Sequence, residues 1–315
     1  MEEIQMRDMV VAVMGGTGFI GSHVVGHLCA AGAQVRVPCR NTDRALFLKP
    51  LGQVGQVAPL ACDLSDDASL ETVLSGVDAV VNLIGILHEH RAGDFQRLHA
   101  ELPARIARAA PRSARLIQVS AIGADPQSKS IYARTKGEGE AALRAVRPDA
   151  VILRPSVVFG PGDQFLNRFA KMAVNSPVLP AIGGGHTRFQ PVFVVDVAQA
   201  VLAALTRPDV LGHTYELGGP AVMSFREILD WLQKVLGRNR YVMNLPFSVA
   251  DTQARFLQIL PTPPLTRDQV LQLRSDNVVA ADALGLRDLG VEPTPMRVAA
   301  PPYLQQFVRT QVRKL

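Results

Sequence analysis

The spacing of three glycines near the start of the chain constrains its fold more than any other feature. Gly15, Gly18 and Gly21 form a GxxGxxG pattern, preceded by the β-branched run Val10–Val13 and followed by a stretch that favours a helix through Ala31. A strand, a glycine-rich turn and a helix in this order are typical of a unit that holds a pyrophosphate at the helix N-terminus. Gly15 then permits the tight turn, Gly18 admits the pyrophosphate and Gly21 lets the helix pack on the strand. A purely structural glycine turn is the competing interpretation.

Strand patterns alternate with helical patterns over the first half of the chain. Further strands are predicted within residues 34–37, 55–61, 79–84, 114–120 and 150–153, and helices within 68–75, 95–110 and 132–146. This alternation predicts an α/β fold with a Rossmann-type doubly wound parallel sheet.

The pattern changes after Pro155, where prolines become frequent. We therefore expect an NAD(P)-binding Rossmann domain over residues 1–154 and a smaller C-terminal α/β lobe over residues 155–315. One stretch differs, because Val192–Val195 has the pattern of a strand and an apolar helix follows it. We expect residues 191–206 to return to the Rossmann domain.

The composition excludes several classes of protein. Hydrophobic residues make up 48% of the chain and charged residues 19%, which excludes a mainly disordered protein. The net charge of +5 comes without a long basic block, so we expect no nucleic-acid partner. An anionic cofactor, an acidic partner and a phospholipid surface all fit this charge.

The cysteines and the first residues bear on the compartment. Cys29, Cys39 and Cys62 form no CxxC pair, so we expect a reducing compartment. The first eight residues are acidic and polar, unlike a secretory signal or a transit peptide. No apolar run approaches the roughly 18 residues of a membrane span. We expect the cytoplasmic side of a membrane, with peripheral attachment left open.

The end of the second predicted strand bears on the choice of nucleotide. An NAD-specific fold places an acid there to bind the ribose 2′-hydroxyl, but residues 35–41 contain no acid and include Arg40. A guanidinium suits a 2′-phosphate, so NADP(H) is favoured over NAD(H); a solvated loop arginine is the alternative. Asp63, after the third strand, is a candidate for the adenine amine. It also competes with Ser65 and Asp66 to cap helix 68–75.

Ser120, Tyr132 and Lys136 are the candidate catalytic residues. Ser120 ends a predicted strand, and Tyr132 and Lys136 share one face of the helix that follows, because four residues separate them. A nearby ammonium stabilises a phenolate, and such a tyrosine exchanges a proton with a carbinol oxygen that Ser120 would also hold. An ordinary helix surface is the alternative, and Lys136 also suits plain cofactor binding.

Several segments together resemble the short-chain dehydrogenase/reductase superfamily, on its extended and atypical, epimerase/dehydratase-like side. They are GGTGFIG at 15–21, VVNLIG at 80–85, LRPSVVFGPGDQFLNRF at 153–169 and PVFVVDVAQA at 191–200, with Ser120, Tyr132 and Lys136. Within it the chain is most similar to the accessory NAD(P)-binding subunits of respiratory complex I and their bacterial relatives. Five features carry this narrower resemblance: the NLIG segment, the short Ser120–Tyr132 spacing, FGPGDQFLNRF at 159–169, RFQPVFVVDV at 188–197 and LTRDQV at 265–270.

The resemblance implies roles for further cofactor-binding residues. Thr17, Phe19 and Ile20 would lie in the pyrophosphate loop; Leu83, Ile84 and Gly85 would border the adenine-ribose path; Tyr132 and Lys136 would meet the nicotinamide ribose; and Pro155 and Val157 would line the nicotinamide.

The resemblance also implies a function. We expect an NADP(H)-binding accessory or assembly protein of respiratory complex I (NADH:ubiquinone oxidoreductase) or of quinone metabolism, with a largely structural cofactor. Its partners would be complex I subunits or quinone-biosynthesis proteins. The alternative is an active NADPH-dependent reductase or dehydrogenase of a lipophilic carbonyl or quinone precursor. Arg40 and the short Ser120–Tyr132 spacing disfavour a sugar-nucleotide epimerase.

Other polar residues invite competing interpretations. His88, His90 and His99 lack the spacing of metal ligands, so no metal site is expected, and roles in a solvated loop or a substrate pocket are favoured instead. Arg154 either faces an anionic substrate or forms a structural ion pair, for which Asp196 is the suggested partner.

An apolar stretch from Leu245 to Pro261 has two interpretations. It forms either a helix packed on the second lobe or an amphipathic helix on a membrane or partner subunit. Basic Arg309, Arg313 and Lys314 would assist at an anionic surface.

Overall fold

The computed structural model describes residues 6, 7, 9–258, 260 and 263–308. Its strands are β1 (Val10–Met14), β2 (Gln34–Cys39), β3 (Val57–Ala61), β4 (Ala79–Asn82), β5 (Arg115–Val119), β6 (Val151–Pro155), β7 (Val158–Phe159), β8 (Val178–Ile182), β9 (Arg188–Phe189), β10 (Val192–Phe193), β11 (Thr214–Leu217), β12 (Met223–Ser224) and β13 (Tyr241–Leu245). Its α-helices are α1 (Phe19–Ala30), α2 (Asp67–Leu74), α3 (Leu102–Ala109), α4 (Ile131–Val146), α5 (Leu166–Asn175), α6 (Val194–Thr206), α7 (Phe225–Val235), α8 (Phe247–Leu257), α9 (Arg267–Gln272), α10 (Met296–Ala299) and α11 (Pro301–Leu304). A π-helical turn, Gln96–Glu101, immediately precedes α3.

A seven-stranded sheet has the order β3-β2-β1-β4-β5-β6-β11, and each neighbouring pair is parallel. The chain order reverses beside β1, as in doubly wound nucleotide-binding folds. Val11–Met14 and Ala79–Asn82 are buried throughout, which explains why these strands are continuous rather than alternating apolar runs. The predicted α/β fold with a Rossmann-type parallel sheet is confirmed.

The chain divides into two units. The first comprises the described residues of Met1–Pro155, with Val194–Leu217 and Ala280–Glu292. Within it, α6 packs against α1 and β11 pairs with β6. Val194 and Val195 lie in the first turn of α6, so the prediction of a strand through Val195 was wrong. Tertiary packing of this helix overrides the β-propensity of its valines.

The second unit comprises Ser156–Phe193, Gly218–Val279 and the described residues of Pro293–Leu315. It contains three two-stranded sheets, β10-β7, β12-β9 and β13-β8. One of its core clusters includes Phe159, Leu166, Leu179 and Leu232, all fully buried. Ala250 and Ala254 on α8 pack in a smaller cluster with Ile182, Leu245 and Val270.

No helix in the described part of the chain is both long enough and apolar enough to cross a membrane.

Candidate nucleotide-binding site

A glycine-rich loop joins β1 to α1. Gly15 has φ +79°, in the left-handed region that favours glycine. The loop is closed by hydrogen bonds from the Gly16 N–H to the Val13 carbonyl (3.2 Å) and from the Gly18 N–H to the Gly15 carbonyl (3.0 Å). Gly18 is the N-cap of α1 and supplies no capping side chain. The free N–H groups at the start of this twelve-residue helix therefore suit an anion.

Gly21 is required by close packing inside the loop. A methyl group at Gly21 would lie 2.2 Å from the Gly15 carbonyl oxygen and 2.7 Å from the Gly16 Cα. A methyl group at Gly15 would lie 3.1 Å from the Leu83 carbonyl carbon. These close main-chain contacts hold the loop over the first N–H groups of α1; we call this loop, residues 15–21, the cradle, and it is the candidate pyrophosphate site. Thr17 and Gly18 are exposed at its rim, with Phe19 and Ile20 half-buried behind them.

The loop after β4 lies beside this cradle. The Leu83 N–H donates to the Met14 carbonyl (2.9 Å), and the Ile84 N–H donates to Asn82 Oδ1 (3.1 Å). Asn82 is buried and donates from Nδ2 to Gln118 Oε1 (2.8 Å). Leu83 and Ile84 are half-buried and Gly85 is exposed, so the loop borders the cradle at the carboxyl ends of β1 and β4.

Arg40 and Asp63 follow neighbouring strands and are both exposed. The residues just before them are in backbone contact, since the Cys62 N–H donates to the Cys39 carbonyl (3.0 Å). Asp63 Oδ1 accepts hydrogen bonds from the Ser65 N–H (2.9 Å) and hydroxyl (2.6 Å), which hold the pKa of Asp63 below its usual range.

The N-cap of α2 is Asp66, whose Oδ1 accepts from the Ala68 N–H (3.1 Å). The competing capping role therefore belongs to Asp66 and not to Asp63.

Ser120, Tyr132 and Lys136 all lie in the first unit. Ser120 directly follows β5, and its Oγ is buried without a hydrogen-bond partner among the described residues. Ser130 caps α4 by accepting from the Ala133 N–H (3.2 Å), which places half-buried Tyr132 in the first turn and Lys136 one turn later. An unpaired buried hydroxyl is costly, so Ser120 fits a site that supplies a polar group from a ligand.

Lys136 is a buried ammonium. Its Nζ donates to the Val119 carbonyl (3.4 Å), and the residue is 5% exposed. Burial lowers the pKa of Lys136 to about 8, although Glu140 favours the charged form. A methyl group at Gly85 would lie 3.3 Å from this Nζ, so the ammonium reaches the loop after β4.

The predicted nicotinamide-lining residues fall in different units. Pro155 ends β6 in the first unit, and its carbonyl accepts from the Ile122 N–H (3.1 Å). Val157 belongs to the second unit, where its N–H donates to Asn277 Oδ1 (3.1 Å).

Comparison with known proteins defines the family. The family model described as "NAD dependent epimerase/dehydratase family" matches residues 11–218, which include the glycine cradle, Ser120, Tyr132 and Lys136. The chain belongs to this family. The predicted resemblance is thereby confirmed.

Individual relatives of this epimerase/dehydratase family member carry different names. The chain is 35% identical to NADH dehydrogenase [ubiquinone] 1 alpha subcomplex subunit 9, mitochondrial, from Arabidopsis thaliana, over 95% of this chain and 78% of that protein. It is 35% identical to the ceramide reductase of Caulobacter vibrioides, over 64% of this chain and 62% of that protein.

The fold is also that of a solved structure. DesIV, the dTDP-glucose 4,6-dehydratase of Streptomyces venezuelae, matches with a TM-score of 0.74 and 21% identity, over 95% of this chain and 96% of DesIV. At this identity the likeness concerns the fold alone.

His99, for which the sequence favoured a solvated-loop or substrate-pocket role, lies beside Lys136 in the fold. His99 is 2% exposed, and its Nε2 accepts a hydrogen bond from the Ile86 N–H (3.0 Å). The rings of His88 and His90 meet elsewhere, edge to face at 4.6 Å. The described residues contain no group of three or more His, Cys, Asp or Glu that could hold a metal ion.

Arg154 has different partners from the one that the sequence suggested. Its guanidinium pairs with Glu140 (2.6 Å) and lies 3.7 Å from Glu216, so the proposed pairing with Asp196 was wrong. The register of the sheet explains this difference, because β6 and β11 place Arg154 directly opposite Glu216.

Proposed function

We propose that this chain is an NADP(H)-binding accessory protein of respiratory complex I and that its nucleotide is mainly structural. The extent of the likeness carries the proposal. Similarity to the complex I subunit of Arabidopsis covers 95% of this chain and therefore both units, whereas similarity to ceramide reductase covers 64%. A likeness that extends beyond the nucleotide fold favours a shared set of partners.

The residues of the first unit fit the nucleotide. Gly15, Gly18 and Gly21 would cradle the pyrophosphate, with Thr17, Phe19 and Ile20 in the same loop. Arg40 would meet the 2′-phosphate, Asp63 would face the adenine, and Leu83, Ile84 and Gly85 would border the adenine-ribose path. Tyr132 and Lys136 would hold the nicotinamide ribose, with Pro155 along the nicotinamide. A nucleotide that binds only the folded state stabilises it by RT ln(1 + [L]/Kd). A structural role for the nucleotide therefore requires a low Kd and does not require turnover.

The outward face of α8 is our candidate for the surface that meets a complex I subunit. Val249 and Phe256 are seven residues apart, hence on one face of the helix, and are 42% and 72% exposed. The opposite charges of Asp251 and Arg255 leave α8 with no net side-chain charge. A helix without basic excess favours a protein partner over an anionic membrane. Arg309, Arg313 and Lys314 lie outside the described residues.

The test is purification of a chromosomally tagged copy from gently solubilised membranes. We expect complex I subunits to co-purify and NADPH to be released on denaturation, as identified by mass spectrometry and chromatography. Tyr132→Phe should still co-purify with complex I subunits, because an accessory role does not depend on proton transfer. A protein that purifies without complex I subunits would contradict the accessory role.

The second candidate function is reduction of a lipophilic carbonyl. Two observations favour it: the likeness to ceramide reductase, and the buried, unpaired Ser120 Oγ. When bound, the nicotinamide would supply the hydride. Tyr132 would then give its hydroxyl proton to the carbonyl oxygen, Ser120 would donate a hydrogen bond to that oxygen, and Lys136 would hold the ribose. NADPH oxidation with a panel of long-chain ketones tests it, since only the wild type, and not Tyr132→Phe, should turn over.

A further inference from the structure

We propose that His99 is a positioning residue of the nucleotide site. Its neutral imidazole fastens the loop after β4 to α4 and so determines where the Lys136 ammonium lies. The inference rests on the proposed nucleotide site, and it concerns a residue that acts on the nucleotide through the loop and Lys136.

The His99 ring connects the two elements that border the site. Nε2 accepts from the Ile86 N–H (3.0 Å) in the loop, and Nδ1 lies 3.4 Å from the hydroxyl of Thr135, the residue before Lys136 on α4. A methyl group at Gly85 would lie 3.3 Å from Lys136 Nζ and 3.8 Å from His99 Nε2. The imidazole and the ammonium therefore meet the loop at the same point.

The hydrogen bonds fix the tautomer of the ring. Because the Ile86 N–H donates to Nε2, the proton of neutral His99 sits on Nδ1 and is directed to the Thr135 hydroxyl. That hydroxyl donates in turn to the Ile131 carbonyl (2.8 Å). Burial and the neighbouring Lys136 lower the pKa of His99 to about 3. The ring thus remains an acceptor for the loop and adds no second positive charge beside Lys136.

The backbone of His99 is also held against α4. A methyl group at Gly139 would lie 1.8 Å from the His99 carbonyl oxygen, so the two elements touch through main-chain atoms. His99 lies in the π-helical turn, where the Leu102 N–H donates to the Arg97 carbonyl. Pro103 has no N–H, so the usual helical bond from residue 103 to the carbonyl of residue 99 cannot form. Wide turns of this kind occur frequently at functional sites.

The same ring packs against the candidate catalytic tyrosine. The His99 and Tyr132 rings meet edge to face with their centres 5.3 Å apart, and Phe95 completes the cluster at 5.1 Å from His99. His99 therefore packs directly against Tyr132, and it approaches the loop at Gly85, the same position that Lys136 approaches.

The test compares His99→Leu with His99→Gln. Glutamine offers an acceptor oxygen near the position of Nε2, whereas leucine offers none. Dissociation constants for NADPH and for NADH are measured by nucleotide fluorescence, together with the melting temperature of the nucleotide-free protein. We expect His99→Leu to bind the preferred nucleotide about tenfold more weakly, because the hydrogen bond from the Ile86 N–H that orders the loop is lost. His99→Gln should recover most of that affinity. Val73→Ala, in the buried core face of α2, is the stability control and should melt earlier with unchanged affinity.

The outcomes separate the inference from the proposed function. Wild-type affinity in His99→Leu, or equal losses in the leucine and glutamine variants, would overturn the positioning role while the nucleotide site stands. A wild type that binds neither NADPH nor NADH would overturn both. If His99→Leu does not fold, Thr135→Val takes its place, since it removes the partner of Nδ1: weaker binding supports the role and unchanged binding overturns it.

Discussion

The Arg154 guanidinium binds the Glu140 carboxylate through hydrogen bonds from Nη2 to Oε2 (2.6 Å) and from Nε to both Oε1 (3.0 Å) and Oε2 (3.2 Å). Glu140 lies one turn beyond Lys136 on α4 and is buried. Because Arg154 engages both of its oxygens, Glu140 compensates only part of the cost of burying the Lys136 ammonium. Burial lowers the pKa of Lys136 to about 8 despite this nearby carboxylate.

Arg154→Met should destabilise the protein strongly. It would leave the buried Glu140 carboxylate without its main partner, at a cost of about 2–3 kcal/mol in the free energy of unfolding, less than for a wholly enclosed pair because Arg154 is partly exposed. Arg287→Met is the matched control, since the Arg287–Glu292 pair is 71% and 74% exposed and its loss should change the free energy of unfolding far less. Urea unfolding measures both, and equal effects would contradict the prediction.

Lys136→Met should make the nucleotide-free protein more stable near neutral pH. The folded chain releases the Lys136 proton near pH 8, whereas an ordinary lysine holds it to 10.5. Between these values the unfolded state binds more protons, so the wild type gains stability as the pH rises. The variant lacks this dependence and should exceed the wild type by up to roughly 3 kcal/mol at pH 7, with the difference shrinking toward pH 10. Urea titrations at both pH values test it; a difference that is independent of pH would show that Lys136 is not the titrating group.

Gly21→Ala should abolish nucleotide binding. The added methyl group would lie 2.2 Å from the Gly15 carbonyl oxygen, so the cradle must open or α1 must shift. Gly26→Ala, in the same helix, is the control, because a methyl group there meets nothing within 4 Å and the helix gains propensity. Fluorescence titration with NADPH should give no binding for the first variant and wild-type affinity for the second. Retained binding in Gly21→Ala would remove the argument for a pyrophosphate cradle.

Arg40→Ala should weaken binding of NADPH but not of NADH. An exposed guanidinium at the end of β2 would contact only the 2′-phosphate, and losing such a charged contact costs about ten- to a hundredfold in affinity. Arg108→Ala, which removes an equal charge from the exposed surface of α3, should leave both constants unchanged. Equal weakening of both nucleotides by Arg40→Ala would mean that Arg40 does not select NADP(H).

The parallel sheet was predictable because each strand is indicated by a run of residues that are consecutive in the sequence. Buried parallel strands such as Val10–Met14 are continuous apolar runs, and a glycine turn between strand and helix has few structural alternatives. By contrast, Ala280–Glu292 joins the first unit through contacts distant in sequence, such as the Leu284 carbonyl that accepts from the Glu216 N–H (2.8 Å). No local pattern indicates such a return.

The site was predictable where spacing alone defines it, as for Tyr132 and Lys136 on one helical face. The contacts of His99 were not predictable, because its partners Ile86 and Thr135 are 13 and 36 residues away and meet it only in the fold. Two sequence features indicate indirectly where the π-helical turn approaches α4. Pro103 interrupts a helical pattern, and Gly139, four residues before Leu143 on α4, permits a close approach of main-chain atoms. Neither feature identifies His99 as the residue at this contact.

Phe256→Ser should weaken association with complex I without affecting the nucleotide. Phe256 is 72% exposed and lies on the same face of α8 as Val249, whereas Ala250 and Ala254 pack in the core. The substitution therefore removes an exposed apolar side chain and leaves the core packing of α8 intact. Val298→Ser is the control, because Val298 is 67% exposed in the second unit but lies on α10. Tagged variants purified from solubilised membranes should lose complex I subunits for Phe256→Ser alone, with wild-type NADPH affinity in both. Co-purification at the wild-type level, or equal loss in the Val298 variant, would exclude the α8 face as the specific contact.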